Sequence, residues 1–211
     1  MYHKSYLSSL FNIFEKNNYI PTVELEYSNH FTFLVAIILS ARATDVGVNK
    51  ATKSLFKVCS TPEEILSLGL EGLKSYIKTI GLYPTKAKNI ISMSSILVEK
   101  YQSNVPSDFE SLVSLPGVGR KSANVFLNTV FGFDVIPVDT HVFRVSKRLG
   151  IAKSNNVLGV EKELLACVPK QYLSRVSNWF VLHGRYICKA RHPLCKQCKI
   201  RDYCEYYKKD F

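Results

Sequence analysis

The residues whose types and spacing best suit chemistry lie at one glycine-rich turn. Gly117 and Gly119 stand two positions apart, between two stretches with helical apolar spacing, and Lys121 follows directly. Glycine tolerates positive φ and leaves its backbone open to close approach, and N–H groups at a helix start attract anions. Leu115–Lys121 therefore predicts a turn that holds a phosphate without reading bases, although an ordinary loop between helices can have this composition.

Lys121 is predicted to lie on the first turn of the helix that follows. Only a neutral amine is a nucleophile, and a helix N-terminus and a cationic neighbour, here Arg120, both favour loss of a lysine proton. A lysine at this position also suits a plain contact to phosphate. The residue alone therefore leaves nucleophile and phosphate ligand as open alternatives.

Asp139 follows Lys121 by 18 residues, at the end of the apolar segment Val135–Val138. A carboxylate in apolar surroundings is costly unless it is paired or functional. Asp139 also precedes a helical apolar pattern that begins at Val142, and aspartate caps helix starts well. Capping and proton transfer are compatible, so the sequence predicts either role or both.

Four cysteines near the C-terminus have the spacing of a metal site. They follow the pattern C-x6-C-x2-C-x5-C: Cys188, Cys195, Cys198 and Cys204. Four thiolates so close in sequence can surround one zinc ion or one [4Fe–4S] cluster. Structural zinc sites usually have two C-x2-C pairs and this loop has one, while His183 and His192 keep zinc open. The sequence predicts a metal centre and leaves its metal undecided.

The bulk composition favours a polyanionic partner. The 211 residues are 46% hydrophobic and 21% charged, with a formal net charge of +11. Such an excess favours nucleic acid first and an anionic membrane second. The longest apolar run, Leu34–Leu39, is far shorter than the ~20 residues that span a bilayer, and residues 1–20 lack a signal-peptide pattern. We therefore expect a reducing cytoplasm, where Cys59 and Cys167 would be core thiols.

Most of the chain has the apolar spacing of helices. Joints near 19–22 and 132–138 predict a compact helical unit and a second lobe, with a groove between them. Helices are predicted to begin at Thr61–Glu64 and Ser107–Asp108 and to end at Gly69, Gly81, Gly132 and Gly150. The predicted helices include Phe31–Ala43, Val46–Val58, Pro62–Leu68, Glu71–Ile80, Lys86–Tyr101 and Asp108–Leu115.

Together these motifs make the chain similar to the endonuclease III family of base-excision DNA glycosylases along nearly its whole length. The turn alone is common among DNA-binding proteins, whereas turn, lysine, aspartate and cysteines in this order are highly specific. The matching segments are Leu39–Asp45, Tyr76–Tyr83, Leu115–Lys121, Val138–Val145, Leu182–Tyr186 and the four-cysteine loop.

The resemblance implies an all-α, two-lobed helix–hairpin–helix fold. Residues 22–133 would form a six-helix domain that carries the hairpin, and residues 1–21 with 134–211 a helical iron–sulfur domain. The active site would lie in the groove between the lobes. The four cysteines would hold a [4Fe–4S] cluster in a structural role, and the enzyme would act as a monomer on nucleoid DNA in the cytoplasm.

The resemblance also implies a reaction in which a damaged pyrimidine is flipped out of double-stranded DNA. Lys121 would attack C1′ of its sugar and expel the base, and the resulting Schiff base would allow β-elimination that cuts 3′ to the abasic site. Asp139 would assist proton transfer and stabilise positive charge on the sugar. The residues implied to contact DNA are Arg42, Leu82, Gly117, Val118, Gly119, Arg120, His141, Arg144, Lys189 and Arg191.

The chain departs from the family pattern at two places. The family usually has glutamine at position 42, where it fills the hole left by the flipped base, with Leu82 as the companion wedge. Arg42 can fill this hole and donate hydrogen bonds, but it cannot accept them. Because arginine pairs well with guanine, we expect a shifted preference for the base opposite the lesion. His192 and Leu194 stand where the family often has further positive charge, which predicts weaker DNA binding by this loop.

Three other function classes fit the sequence less well. An adenine-mismatch glycosylase would need a catalytic glutamate in 34–43, which holds no acidic residue, and would lack the lysine at 121. A DNA-binding module with structural zinc does not require Lys121 together with Asp139. A ferredoxin-like electron carrier is typically acidic, whereas this chain is basic.

Overall fold

The computed structural model describes residues 4–17 and 24–210, and every regular element in these ranges is helical. The all-α prediction is therefore confirmed for the described part of the chain. The helices are α1 (Lys4–Lys16), α2 (His30–Ser40), α3 (Asp45–Val58), α4 (Pro62–Ile77), α5 (Tyr83–Tyr101), α6 (Phe109–Ser114), α7 (Arg120–Phe131), α8 (Thr140–Leu149), α9 (Val157–Cys167), α10 (Leu173–Tyr186) and α11 (Glu205–Asp210). Short 3-10 turns cover Lys170–Tyr172, Cys195–Gln197 and Arg201–Tyr203.

Side-chain caps set two helix starts where the sequence predicts them. The Thr61 hydroxyl accepts from the Glu64 N–H, and the Glu64 carboxylate accepts from the Thr61 N–H, which is a reciprocal capping box. Asp108 caps α6 by accepting from the Ser111 N–H at 2.8 Å. Both predicted starts are confirmed, because each depends on residues within one helical turn.

Three of the four glycines predicted to end helices do so or interrupt one. Gly150 caps α8 with φ 81°, Gly132 follows α7 with φ 66°, and Gly69 interrupts α4 with φ 72°. The prediction for Gly81 is wrong, because α4 already ends at Ile77 and turns cover the residues between. The local sequence marks a break there but does not fix the last helical residue.

The described residues from 24 to 131 form one compact unit built around α2, called here the α2 unit. Every residue from Phe31 to Leu39 is buried, which is typical of a helix that is apolar all round. Helices α3, α5 and α7 pack against α2, and α4 packs along α5. Phe33 of α2 and Phe126 of α7 stack with ring centroids 5.8 Å apart.

The described residues 4–17 and 132–210 form a second unit, called here the cysteine unit. Its core joins α1 to the later helices through aromatic rings. Phe14 stacks on Trp179 at 5.7 Å, and Phe11 lies 5.3 Å from Tyr172 between ring centroids. The Tyr172 hydroxyl donates to Asn12 Oδ1 at 2.6 Å. The N-terminal helix is therefore part of the unit that carries the four cysteines.

Two sequence expectations concern the connections and the membrane. The predicted joint at 19–22 lies outside the described residues, whereas 132–139 link α7 to α8 without regular secondary structure. No helix in the described ranges is long and apolar enough to cross a membrane.

Candidate functional site

The glycine-rich segment forms a tight turn between α6 and α7. The Val118 N–H donates to the Leu115 carbonyl at 3.1 Å, and Gly117 between them has φ 85°. Pro116 followed by a glycine of positive φ is the pattern of a type II turn. A Cβ on Gly117 would lie 3.1 Å from the Cβ of Asn89. Both the backbone conformation and the close packing therefore require glycine here.

Lys121 is exposed on the first turn of α7, directly after this turn. The first helical bond runs from the Ala123 N–H to the Gly119 carbonyl at 3.0 Å. The opening N–H groups of a helix have no intrahelical acceptor and carry the positive end of its dipole. Arg120, also exposed, lies over the Phe109 ring at 5.0 Å. The structure thus places an amine and a guanidinium at a helix start that favours anions.

Arg42 and Leu82, both in the α2 unit, share an uncommon backbone conformation. Their φ values are 58° and 61°, in the left-handed region that costs a non-glycine residue roughly 1–2 kcal/mol. Arg42 is exposed, and Leu82 is 60% exposed although burial would stabilise a leucine. Strain and exposure at the same positions are typical of residues kept for binding.

Asp139 is the N-cap of α8 and belongs to the cysteine unit, whereas Lys121 belongs to the α2 unit. Its Oδ1 accepts from the N–H groups of His141 and Val142, both at 2.8 Å. The side chain is half-buried. The predicted cap is confirmed, and the two N–H groups fix the orientation of the carboxylate.

The four cysteines of the C-terminal loop line one cavity in the cysteine unit. Its volume is about 20 Å³, and side chains of α8, α10 and α11 also line it. No three His, Cys, Asp or Glu side chains in the described ranges gather tightly enough to surround one ion. Four cysteines around one cavity are a donor set that suits a [4Fe–4S] cluster as well as a zinc ion. The cysteines that line it are Cys188, Cys195, Cys198 and Cys204.

Two arginines of α8 hold the cysteine loop by its backbone. Arg148 donates to the Lys189 carbonyl at 2.7 Å, and its NH1 lies 3.4 Å from Cys188 Sγ. Arg144 donates to the carbonyls of Cys188 and Gly184 at 3.0 and 2.9 Å. The Arg144 guanidinium therefore makes hydrogen bonds within the protein, and its contact with DNA stays a prediction.

Burial favours the uncharged form of three side chains that line this cavity. It lowers the pKa of His183 to about 4, and the Nε2 of this ring lies 3.6 Å from Cys198 Sγ. It raises the pKa of the Cys198 thiol to about 11 and also raises the pKa of Cys204. Metal ligation requires thiolates, so metal binding has to release these protons. Cys59, buried as predicted, and half-buried Cys167 do not line the cavity.

The loop between the first two cysteines presents its cations to solvent. Lys189, Arg191 and His192 are exposed, and His192 has φ 51°. Leu194 is half-buried, and its N–H donates to the Ile187 carbonyl at 2.9 Å. The loop therefore offers two permanent positive charges to a polyanion.

Lys86 is a buried cation that sequence reasoning missed. It is 5% exposed, and its Nζ donates to the carbonyls of Leu39 and Ala41 at 2.8 and 2.7 Å. Burial lowers the pKa of this lysine. The available signal was its place on the buried stripe of α5, where residues follow at helical spacing: Lys86, Ile90, Met93 and Leu97.

Comparison with known proteins gives this arrangement a class. Residues 35–170 match the sequence profile of HhH-GPD superfamily base excision DNA repair proteins, so the fold and the hairpin define a protein of that class. Over 201 residues the chain is 58% identical to endonuclease III of Rickettsia prowazekii, with 95% of each chain covered. Over 194 residues it is 53% identical to endonuclease III of Escherichia coli strain K12, with 92% of each chain covered.

A solved structure extends the comparison to three dimensions. The structure of a trapped covalent intermediate between endonuclease III and DNA, an estranged-adenine complex, matches with a TM-score of 0.91 and 42% identity over 99% of both chains. The chain belongs to the endonuclease III family.

Proposed function

We propose that the chain is a bifunctional DNA glycosylase that removes damaged pyrimidines from duplex DNA and cuts the strand 3′ to the abasic site. The observation that carries the proposal is Lys121, an exposed amine on the first turn of α7 behind a turn suited to phosphate. Identity of 58% to one endonuclease III and the match to a trapped endonuclease III–DNA intermediate support it.

The Lys121 amine replaces the damaged base on its sugar. Nζ attacks C1′, the bond from C1′ to the base breaks, and the base leaves with a proton. The sugar ring opens to an imine between Nζ and C1′, which makes the C2′ hydrogens acidic. Loss of one C2′ proton expels the 3′ phosphate, and water then hydrolyses the imine to regenerate the amine. This covalent route divides one difficult step into several easier ones.

Asp139 serves the same reaction through its carboxylate. Its negative charge stabilises positive charge that develops on the sugar, and a carboxylate can carry protons between steps. The N–H groups of His141 and Val142 hold one oxygen in place. A charge oriented in advance needs little reorganisation in the transition state.

DNA is held by its phosphates and opened by two side chains of the α2 unit. The turn at Gly117 and the cations Lys189 and Arg191 provide contacts that do not depend on sequence. Leu82 enters the stack as an apolar wedge, and Arg42 donates to the partner base, with guanine favoured. Excision of the same lesion at equal rates opposite guanine and adenine would contradict that preference. We expect a monomer that acts on nucleoid DNA in the cytoplasm.

The four cysteines hold one [4Fe–4S] cluster in this proposal. The four cysteines around one cavity, together with membership of the endonuclease III family, support a cluster over a single zinc ion. When bound, the cluster supplies four covalent links that stabilise the loop carrying Lys189 and Arg191, and the chemistry at the sugar does not use it. Iron and acid-labile sulfide, each at about four per chain, are the expected analysis, and stoichiometric zinc without sulfide would contradict it.

A duplex that contains one thymine glycol tests the proposed reaction. The wild-type protein should release the base, cut the strand, and form a covalent adduct when borohydride reduces the imine. Lys121→Ala should lose all three, whereas Lys50→Ala, which removes an exposed positive charge on α3, should keep them. Tight binding by wild type with no cutting and no adduct would indicate a DNA-binding module instead.

A further inference from the structure

Lys86 carries a buried charge that the proposed reaction does not use. Its ammonium is bonded to two backbone carbonyls, those of Leu39 and Ala41. No carboxylate in the described ranges forms an ion pair with it. Burial of a charge without an opposite charge is costly, and the two hydrogen bonds to carbonyls offset part of that cost. They belong to the C-terminal end of α2, where helix carbonyls lack intrahelical donors and the dipole is negative.

The same lysine connects two strained positions. Arg42, with φ 58°, directly follows the carbonyl of Ala41 that the Lys86 ammonium holds. Leu82, with φ 61°, accepts at its carbonyl from the backbone N–H of Lys86 at 3.1 Å. The described ranges contain only three other non-glycine residues of positive φ. The Lys86 side chain bonds directly before Arg42, and it is carried by the first turn of α5, which begins directly after Leu82.

The hairpin turn lies at this corner of the α2 unit as well. A Cβ on Gly117 would lie 3.1 Å from Asn89 of α5 and 3.3 Å from Ile38 of α2. Ile38 is adjacent to the bonded Leu39, and Asn89 is one turn after Lys86 on α5. The turn suited to phosphate and the two strained, exposed side chains are thus built on the same junction of α2 and α5.

We propose that Lys86 is a positioning residue that holds Arg42 and Leu82 in the conformations in which they enter duplex DNA. It contacts neither DNA nor the reacting atoms. Its ammonium ties the end of α2, next to Arg42, to the start of α5, next to Leu82. This inference rests on the proposed function, because it assigns a task to the two residues that open the duplex.

Two substrates separate positioning from a general structural role. Excision of thymine glycol from a duplex requires Arg42 and Leu82, whereas borohydride trapping on an abasic site in a single strand has no partner strand for them to engage. Lys86→Met keeps the aliphatic part of the side chain and removes the hydrogen-bond donors. The rate of base excision from the duplex should fall about 10- to 100-fold, as expected when hydrogen bonds from a charged group are removed. Single-strand trapping should stay within about twofold, a change too small to reflect lost bonding.

Matched variants complete the experiment. Lys88→Met removes an exposed positive charge two residues further along α5 and should match wild type on both substrates. Lys86→Arg should recover part of the duplex activity because it restores charge and donors. Lys86→Gln, which keeps one donor group, should be intermediate, and it provides the test if Lys86→Met folds poorly by circular dichroism.

A double-mutant cycle identifies what the lysine acts through. Lys86→Met should lower the rate of excision from the duplex much less in an Arg42→Ala, Leu82→Ala background, because the side chains that Lys86 positions are absent there. Equal losses on both substrates, no loss on either, or losses that multiply fully in the cycle would overturn the positioning role. A wild-type protein that neither cuts the duplex nor forms an adduct would overturn the proposed function instead.

Discussion

Replacement of Gly117 by alanine tests whether the hairpin turn needs a left-handed backbone at this residue. Gly117 has φ 85°, and an added Cβ would meet two atoms of Asn89 at 3.1 and 3.2 Å and one of Ile38 at 3.3 Å. Gly119 lies two residues away, has no positive φ, and would place its Cβ in open space. Gly119→Ala is therefore a control in the same turn.

The magnitude follows from these two facts. A left-handed backbone costs alanine roughly 1–2 kcal/mol relative to glycine, and three contacts shorter than an ordinary van der Waals distance add to it. We expect Gly117→Ala to lower the free energy of unfolding by about 2 kcal/mol. With a slope of about 2 kcal/mol per M in urea, the midpoint falls by about 1 M. Gly119→Ala should stay within about 0.5 kcal/mol, as most unstrained surface changes do.

The assay is urea unfolding followed by helical circular dichroism. The single tryptophan, Trp179, lies in the cysteine unit, so its fluorescence would not report on the α2 unit where the change is made. Binding of an undamaged duplex, measured by fluorescence anisotropy, should weaken for Gly117→Ala because the turn shifts. Equal unfolding midpoints for the two alanine variants would refute the argument that this turn needs a left-handed residue.

Substitutions at three further positions test the cysteine unit. Asp139→Asn should keep the helix cap, since asparagine caps as well as aspartate, but should lower the single-turnover lyase rate by about 10²-fold or more. Asp139→Ala should in addition lose about 1 kcal/mol of stability. Full lyase activity in the asparagine variant would exclude a role for the charge. Arg148→Met removes the hydrogen-bond donor that lies 3.4 Å from Cys188 Sγ. The visible absorbance of the proposed cluster should then decay about tenfold faster in air. An unchanged rate of decay would show that this arginine does not protect the loop. Gly184→Ala would place a Cβ 2.9 Å from the Cβ of His141. The overpacking of α8 against α10 should lower the free energy of unfolding by about 1–3 kcal/mol. A thermal unfolding midpoint equal to that of wild type would contradict this close approach.

The features that the sequence predicts well are those set within a few residues. The caps at Thr61, Asp108 and Asp139 each join a side chain to N–H groups no more than one helical turn away. The turn at Gly117 is likewise defined by its own residues. Composition and spacing therefore suffice for these capped helix starts and for the place of Lys121 at the start of α7, whereas α5 begins at Tyr83, three residues before its predicted start.

The features that the sequence does not reveal depend on contacts between distant segments. Lys86 bonds to carbonyls 45 and 47 residues earlier in the chain, and Arg148 bonds to a carbonyl 41 residues later. Arg144, whose contact with DNA stays a prediction, donates to Cys188 and Gly184 within the protein. A lysine or arginine at a helical position does not show whether its partner is solvent, DNA or a carbonyl, because that depends on the packing of the helices.

The central claim is that Lys121 is the nucleophile. Peptide mass spectrometry of the borohydride-trapped adduct tests it most directly, because reduction converts the imine into a stable bond at the attacking residue. We predict that the sugar remnant is attached to Lys121 alone. Attachment to another amine, with Lys121 unmodified, would contradict the account.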